Sequence, residues 1–284
     1  MPEQSVTRAA NAKINLSLDL TGILPDGYHA ICTVMQSVSL CDTVTLAPGA
    51  AGIRLSCSAP EVPTDKRNTA FAAAEAFYAA AGLAPCVDIH IEKRVPSQAG
   101  LGGGSADAAA VLHCLNERHG FPLGEDTLLR IALGVGADVP FCFLGGTRLC
   151  LNKGEVMAKL PPFAAHVVIA KPRAGVSTAA AFRKFDSAPP LRHPKNDDFL
   201  FYMMRGDYEA AFACAGNLFE QLTHVPEGDC IKQSMRENGA YYAAMSGSGS
   251  AYFGLFCTRE AAVRAAGALR ETVPFVAVCE TAEE

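Results

Sequence analysis

Nowhere in this sequence do Lys and Arg cluster: 24 of them are spread over 284 residues against 29 Asp and Glu, for a formal net charge of −5. A chain without a basic stretch lacks the electrostatic footprint of a nucleic-acid binder, so no nucleic-acid partner is expected. No apolar run approaches the roughly 20 residues needed to span a bilayer. The opening residues Met1-Pro2-Glu3-Gln4-Ser5 have neither the charged start nor the apolar stretch of a signal peptide. The expectation is a cytoplasmic protein with no membrane partner. The 11 cysteines include no C-x-x-C pair and no Cys/His grouping at zinc spacing. Cys114 and Cys142 lie in apolar runs, where a reduced thiol packs as a small hydrophobe. No tandem repeat is visible.

Half of the residues are hydrophobic, enough for a substantial core in one large domain or two smaller ones. Ile14, Leu16, Leu18 and Leu20 alternate with polar residues, as do Val87, Ile89 and Ile91, the period of a strand with one buried face. Asn68 or Thr69 can cap an alanine-rich helix that stops at Gly82, and a second helix is expected from about Ser105 to Gly120. Further helices are expected at about Asp207–Thr223, Asp229–Asn238 and Arg259–Glu271, with strands at Val167–Ala170, Ala251–Phe256 and Val273–Cys279. The mixture reads as α+β. Paired prolines at Pro161-Pro162 suggest a division into 1–159 and 160–284. Ser187–Lys195 reads as an exposed loop with solvated charges.

The strongest local signal runs from Pro96 to Asp107: Pro-Ser-Gln-Ala-Gly-Leu-Gly-Gly-Gly-Ser-Ala-Asp, after a strand and before a helix. Glycines let the backbone approach a phosphate, and unpaired N–H groups at a helix start point at bound oxygens. Ser105 could cap that helix or turn its hydroxyl toward phosphate or Mg²⁺. The stretch lacks the Gly-Lys-Ser/Thr ending of a Walker A loop, and Ser105 stands where a dinucleotide fingerprint requires its third glycine.

Three further segments stand in order around it. Asn11-Ala12-Lys13-Ile14-Asn15-Leu16 is followed by Asp26-Gly27-Tyr28-His29, then Gly136-Ala137-Asp138-Val139-Pro140-Phe141, then Met245-Ser246-Gly247-Ser248-Gly249-Ser250-Ala251. Pro140 favours an extended residue before it, which would put Asp138 at a helix exit. Together with the glycine loop, these segments resemble the motifs of the GHMP kinases along nearly the whole chain. The first pair resembles the form used by the kinases of 4-diphosphocytidyl-2-C-methyl-D-erythritol in isoprenoid precursor synthesis.

The resemblance implies a GHMP fold, with an N-terminal domain of the ribosomal S5 domain-2 type, a ferredoxin-like C-terminal domain and a site in the cleft between them. It implies ATP as co-substrate with Mg²⁺, and a small-molecule acceptor carrying a cytidine diphosphate group whose 2-hydroxyl is phosphorylated. ATP phosphates would lie on Pro96, Gly100, Leu101, Gly102, Gly103, Gly104 and Ser105, with Lys93 and Asn68 near the nucleoside. Asp138 would take the hydroxyl proton, and Lys13 would hold that carboxylate and stabilise the transferring phosphoryl group. Asn15 would bond the erythritol hydroxyls or help hold Asp138. Tyr28 and Phe182 would sandwich the cytosine, His29 would read its edge, and Gly247, Ser248 and Gly249 would border phosphates and substrate. Ala106 stands where many relatives have a second serine, so any hydroxyl role falls to Ser105. The other kinase reading is a mevalonate- or homoserine-type enzyme, which would not share Asp26-Gly27-Tyr28-His29. A non-catalytic nucleotide-binding regulator would not need both Lys13 and Asp138.

Overall fold

In the computed structural model, which describes residues 5–283, the chain begins β1 (Val6–Ile23), β2 (His29–Pro48), β3 (Gly52–Cys57), α1 (Thr69–Ala81), β4 (Cys86–Glu92) and α2 (Gly103–Arg118). It continues with α3 (Glu125–Val135), α4 (Val139–Leu144), β5 (Thr147–Asn152), β6 (Val156–Lys159), β7 (His166–Lys171), α5 (Thr178–Phe185), α6 (Asn196–Arg205) and α7 (Tyr208–Cys214). A 3₁₀ turn at Leu218–Gln221 leads to α8 (Gly228–Glu237), β8 (Tyr242–Met245), β9 (Tyr252–Phe256), α9 (Arg259–Leu269) and β10 (Phe275–Glu280). Contacts group the chain into two compact units, neither continuous in sequence. One holds the residues through Ala12, Cys41–Ser97 and Gly102–Leu144; the other holds Lys13–Leu40, Gln98–Leu101 and the chain from Gly145 onward. Residues 145–159 therefore group with the second unit, although they precede the proline pair.

In the first unit the later half of β2 pairs antiparallel with β4, from Thr43 opposite Glu92 to Pro48 opposite Val87, and β3 lies parallel to β4. Val87, Ile89 and Ile91 turn inward at period two, as the alternation predicts. They pack with α1 and α2, whose inner faces carry Ala70, Ala73, Ala74 and Phe77 on one side and Ala108, Val111, Leu112 and Leu115 on the other. The small alanine side chains allow the two helices to approach closely. Asn68 caps α1 by accepting from the Ala70 N–H at 2.9 Å, and its amide donates to the Pro63 carbonyl at 2.8 Å. Gly82 ends the helix in the left-handed region, φ +64°.

In the second unit the first half of β2 pairs with β5, and β5 with β6. A separate four-stranded antiparallel sheet has the order β10-β7-β9-β8, the ferredoxin-like arrangement, with α8 and α9 contributing to its core. Among the described residues no helix is long and apolar enough to cross a membrane.

The structure corrects several local expectations. β1 spans eighteen residues rather than the seven whose alternation is legible. α2 starts at Gly103 with Gly102 as its cap, φ +69°, so Ser105 lies in the first turn and is not the cap. The helix expected over 207–223 ends at Cys214, because the backbone there pairs with β1 instead: the Leu18 N–H donates to the Gly216 carbonyl at 2.8 Å, and Leu18 bridges Asn217. Asp138 is at a helix entrance rather than an exit. It immediately precedes α4, and Pro140 sits in that helix's first turn, where a missing N–H leaves no helical bond unmade.

Asn68→Ala should cost about 1–2 kcal/mol in urea-induced unfolding, through loss of the cap. Asn68→Asp, which keeps the acceptor, should recover most of it. Equal losses in the two variants would show that the Pro63 bond, not the cap, is what matters.

Candidate active site

The phosphate-type loop stands on a buried ionic pedestal. Leaving β4, the chain passes over Asp42, a wholly buried carboxylate on β2 whose Oδ1 accepts the N–H groups of Arg94 at 2.5 Å and Val95 at 2.8 Å. The other oxygen of Asp42 pairs with the Lys93 ammonium, which also meets Asp107 Oδ2 on α2 at 2.7 Å. One ammonium between two buried carboxylates can balance only one of them. Asp42 is compensated by two backbone donors besides; Asp107 has Lys93 alone. Burial pushes the Asp107 carboxyl up to about 7, against the pull of Lys93 and helped by the charge of Asp42. Burial works to lower Lys93, but the two carboxylates outweigh it and hold the ammonium above its ordinary value. The Asp107 Oδ1 atom is buried without a hydrogen-bond partner among the described residues, and is the atom on which a proton would sit.

Above this pedestal α2 opens. Its first intrahelical bond runs from the Ala106 N–H to the Gly102 carbonyl at 2.8 Å, so the amides of Gly103, Gly104 and Ser105 precede it and are open to an anion. Thr69, beside the cap of α1, donates to the Gly104 carbonyl at 2.7 Å, which brings Asn68 and Thr69 to the loop. A Cβ on Gly103 would point at Val95 and Lys93, at 3.1 and 3.4 Å. A side chain at Gly103 would crowd Val95, so the helix start fits tightly against the pedestal. The Lys93 ammonium, placed near the nucleoside by the sequence reading, is committed to the two carboxylates.

In the second unit, residues Gln98–Leu101 of the same loop lie against the last glycine-rich segment. A Cβ on Gly100 would stand 2.0 Å from the Ser246 carbonyl oxygen, and one on Gly247 3.2 Å from the Gly100 carbonyl oxygen. Ser246 Oγ donates to the Gly100 carbonyl at 2.8 Å, and the Ala251 N–H donates to the Ala99 carbonyl at 3.0 Å. The Ser248 and Thr178 hydroxyls are 2.9 Å apart. From below, Asn217 donates to the Met245 and Gly247 carbonyls at 2.7 and 2.8 Å, while Glu220 accepts the Met245 N–H at 2.7 Å.

β1 brings the first motif to this loop. The Lys13 N–H donates to the Leu101 carbonyl at 2.9 Å, and the ammonium of Lys13, a residue only 4 % exposed, donates to Asn15 Oδ1 at 2.7 Å. The amide of Asn15 donates to Thr33, whose hydroxyl donates to the Ser17 carbonyl. This buried relay on one strand face orients the Lys13 side chain. Asp138 is half-buried in the first unit, on the turn between α3 and α4.

The expected base-binding residues take two separate arrangements. Tyr28 is 62 % exposed, and the Lys153 ammonium lies 4.1 Å from its ring centroid, itself paired with Asp26. His29 packs on Phe182 at 5.1 Å and edge-on to Phe185 at 5.6 Å, and its Nε2 is 2.7 Å from Asp186 Oδ1. Phe182 in turn meets Phe219 at 5.0 Å. Tyr28 and Phe182 share no ring contact with each other. Asp42, Thr33, Asp186, Asn217 and Glu220 were not singled out from the sequence, while Asp107, the last residue of the glycine motif, and Lys153 stood there without the roles they take in the structure. Only Asp42 carried a signal, a charge in a strand-like apolar stretch.

Among the described residues no group of three His, Cys, Asp or Glu could hold a metal ion. Mg²⁺ commonly keeps several waters and relies on substrate phosphates, and the half-buried Ser105 in the first turn of α2 fits as a single protein ligand of an ion carried with ATP.

Residues 68–146 match the GHMP kinases N terminal domain, and residues 203–274 match the GHMP kinases C terminal domain. The chain belongs to the GHMP kinase family. This GHMP kinase is 40% identical over 282 residues to the 4-diphosphocytidyl-2-C-methyl-D-erythritol kinase of Moorella thermoacetica, covering 97% of this chain and 99% of that one. It is equally 40% identical over 290 residues to the enzyme of the same name from Desulfitobacterium hafniense, covering 100% and 98%. A crystal structure of 4-(cytidine 5'-diphospho)-2C-methyl-D-erythritol kinase superposes with a TM-score of 0.82 at 31% identity, covering 98% of this chain and 100% of that one. Homoserine kinase from Cytophaga hutchinsonii, at 20% identity and a TM-score of 0.77, shares the fold.

Two measurements test the supports of this kinase's glycine loop. Gly100→Ala adds a methyl group where two backbones touch and requires φ +74° of a residue with a side chain. It should destabilise the protein by at least about 2 kcal/mol, and unchanged urea unfolding would contradict the close approach. Asp107, raised in the folded state from an ordinary value of 3.8 to about 7, favours folding most when protonated. Its contribution is lost as pH rises through that window and is constant above it. Wild type should therefore lose stability relative to Asp107→Asn between about pH 4 and 7; parallel profiles would mean that Asp107 titrates normally.

Proposed function

We propose that this GHMP kinase transfers the γ-phosphoryl group of ATP to the 2-hydroxyl of 4-diphosphocytidyl-2-C-methyl-D-erythritol, in the cytoplasm, on the route to isoprenoid precursors. The observation that carries the reading is the full-length similarity, at 40% identity, to kinases of that name. The aromatic groups at Tyr28 and at His29 with Phe182 are its local counterpart. Likeness to homoserine and mevalonate kinases, at 20% and 17% identity, extends to the fold.

The ATP phosphates bind the open amides of Gly103, Gly104 and Ser105, with Gly100, Leu101 and Gly102 giving the backbone its approach and Pro96 opening the loop. Asn68 and Lys93 act as supports of that loop, one as the cap beside Thr69 and the other through Asp107. Ser105 would be the side chain that holds Mg²⁺ carried with ATP, an ion that would supply neutralisation of phosphate charge. Asp138 takes the proton from the substrate's 2-hydroxyl as the oxygen attacks phosphorus. Lys13 presents its ammonium to the transferring phosphoryl group, aimed by the bond to Asn15. Asn15 also offers its amide to the erythritol hydroxyls. Gly247, Ser248 and Gly249 border the acceptor, with Ser248 oriented by Thr178. The cytosine stacks on the open face of Tyr28 and against the His29–Phe182 pair. The His29 nitrogen not engaged by Asp186 reads the base edge.

Asp138→Asn should bind an ATP analogue normally and lose about 10²- to 10⁴-fold in kcat; near-normal turnover by the folded variant would remove Asp138 from the mechanism. Phe182→Ala should raise the KM for the cytidyl substrate at unchanged ATP affinity. Efficient phosphorylation of free methylerythritol 4-phosphate would overturn the substrate assignment, since a site indifferent to the cytidine has no use for these rings.

A further inference from the structure

The second unit contains a cavity of about 440 Å³ that none of the roles above uses. It lies along the edge strand β8, walled by Arg192–Lys195, by the turn after α7 and by the outer side of α8. Its volume is that of a small-molecule site. Its lining is cationic: Arg192, Lys195, Lys232 and Arg236 face a single carboxylate, Glu220. Lys232 is paired with Glu220 and lies 3.3 Å from the exposed Asp229, but Arg192, Lys195 and Arg236 have no carboxylate partner among the described residues. The hydroxyl of Tyr242, another lining residue, is buried and has no hydrogen-bond partner among the described residues. Charges of one sign facing a partly enclosed space focus a field that attracts counter-ions.

The cavity is also wired to the glycine loop. Glu220 holds Lys232 with one carboxylate oxygen and the Met245 N–H with the other. Asn217, on the same wall, holds the Met245 and Gly247 carbonyls, and Ser246 between them bonds Gly100. An anion that draws Lys232 toward itself alters the partner of the carboxylate that fixes Met245. We propose that this cavity is a second binding site, for a small phosphorylated anion, and that its occupancy is felt at the loop 245–250 through Glu220.

The test reads binding rather than turnover, so it is independent of the catalytic assignment. Inorganic pyrophosphate, titrated calorimetrically without Mg²⁺ at fixed ionic strength, should bind wild type already saturated with a non-hydrolysable ATP analogue. The double variant Arg192→Gln/Arg236→Gln should bind it at least tenfold more weakly and keep its affinity for the analogue. Lys195→Glu, a single exposed reversal, should weaken it in the same direction. Hydrogen exchange of the amides in 245–250 should change with pyrophosphate in wild type and not in the double variant. Binding that the ATP analogue abolishes, or equal affinity in wild type and double variant, would overturn the site. Binding with unaltered exchange in 245–250 would overturn the link to the loop.

Discussion

Two stretches of backbone meet at Gly100 and Ser246 at a separation that admits no side chain, and the geometry of the second unit around the candidate site is arranged to hold that meeting. A Cβ at Gly100 would be 2.0 Å from a carbonyl oxygen, so the glycines here serve a packing requirement between two loops before they serve any ligand. Several bonds hold the contact directly. Ser246 bonds Gly100, Ala251 bonds Ala99, and Lys13 reaches Leu101 through its own amide. The loop is consequently stiff where it touches its neighbour and open where α2 begins. That combination suits phosphate, which needs amides already pointing inward when it arrives.

The first unit solves a different problem. A lysine buried beneath a glycine-rich helix start would be costly to bury if it were unpaired. Two carboxylates dispose of its charge, and the surplus negative charge is relieved by the raised pKa of Asp107. The pedestal is therefore close to neutral, and the positive potential at the start of α2 comes from the helix amides.

Much of the fold was legible because the residues that form it obey simple periods. Val87, Ile89 and Ile91 alternate and form β4, and Asn68 and Gly82 bracket α1. The first half of β2 was hidden for a physical reason. Its polar residues Thr33, Gln36 and Ser37 are buried rather than turned outward, so the hydrophobic period is lost there and resumes only from Val38 through Leu40 and Val44 to Leu46. The same holds at the candidate site. Glycine loops and the Lys13 and Asp138 motifs stand out because their chemistry is compressed into a few adjacent residues. Asn217 and Glu220 act on Met245 and Gly247 from more than twenty positions away, and Lys93 meets Asp42 across 51. Nothing in the neighbouring residues announces such a partner.

Tyr28 shows what Lys153, on the turn between β5 and β6, is able to do. A tyrosine more than half exposed would ordinarily rotate among its rotamers, and any flat ligand meeting it would have to immobilise it. Here Lys153 lies over one face of the ring, and Asp26, which also accepts the Tyr28 N–H at 3.2 Å, anchors that lysine. The ring is thereby parked before a ligand arrives, with one side covered and the other bare. A planar group landing on the bare side meets a surface whose ordering entropy has already been spent in folding, and a single-sided surface of this kind admits a ligand from one direction only.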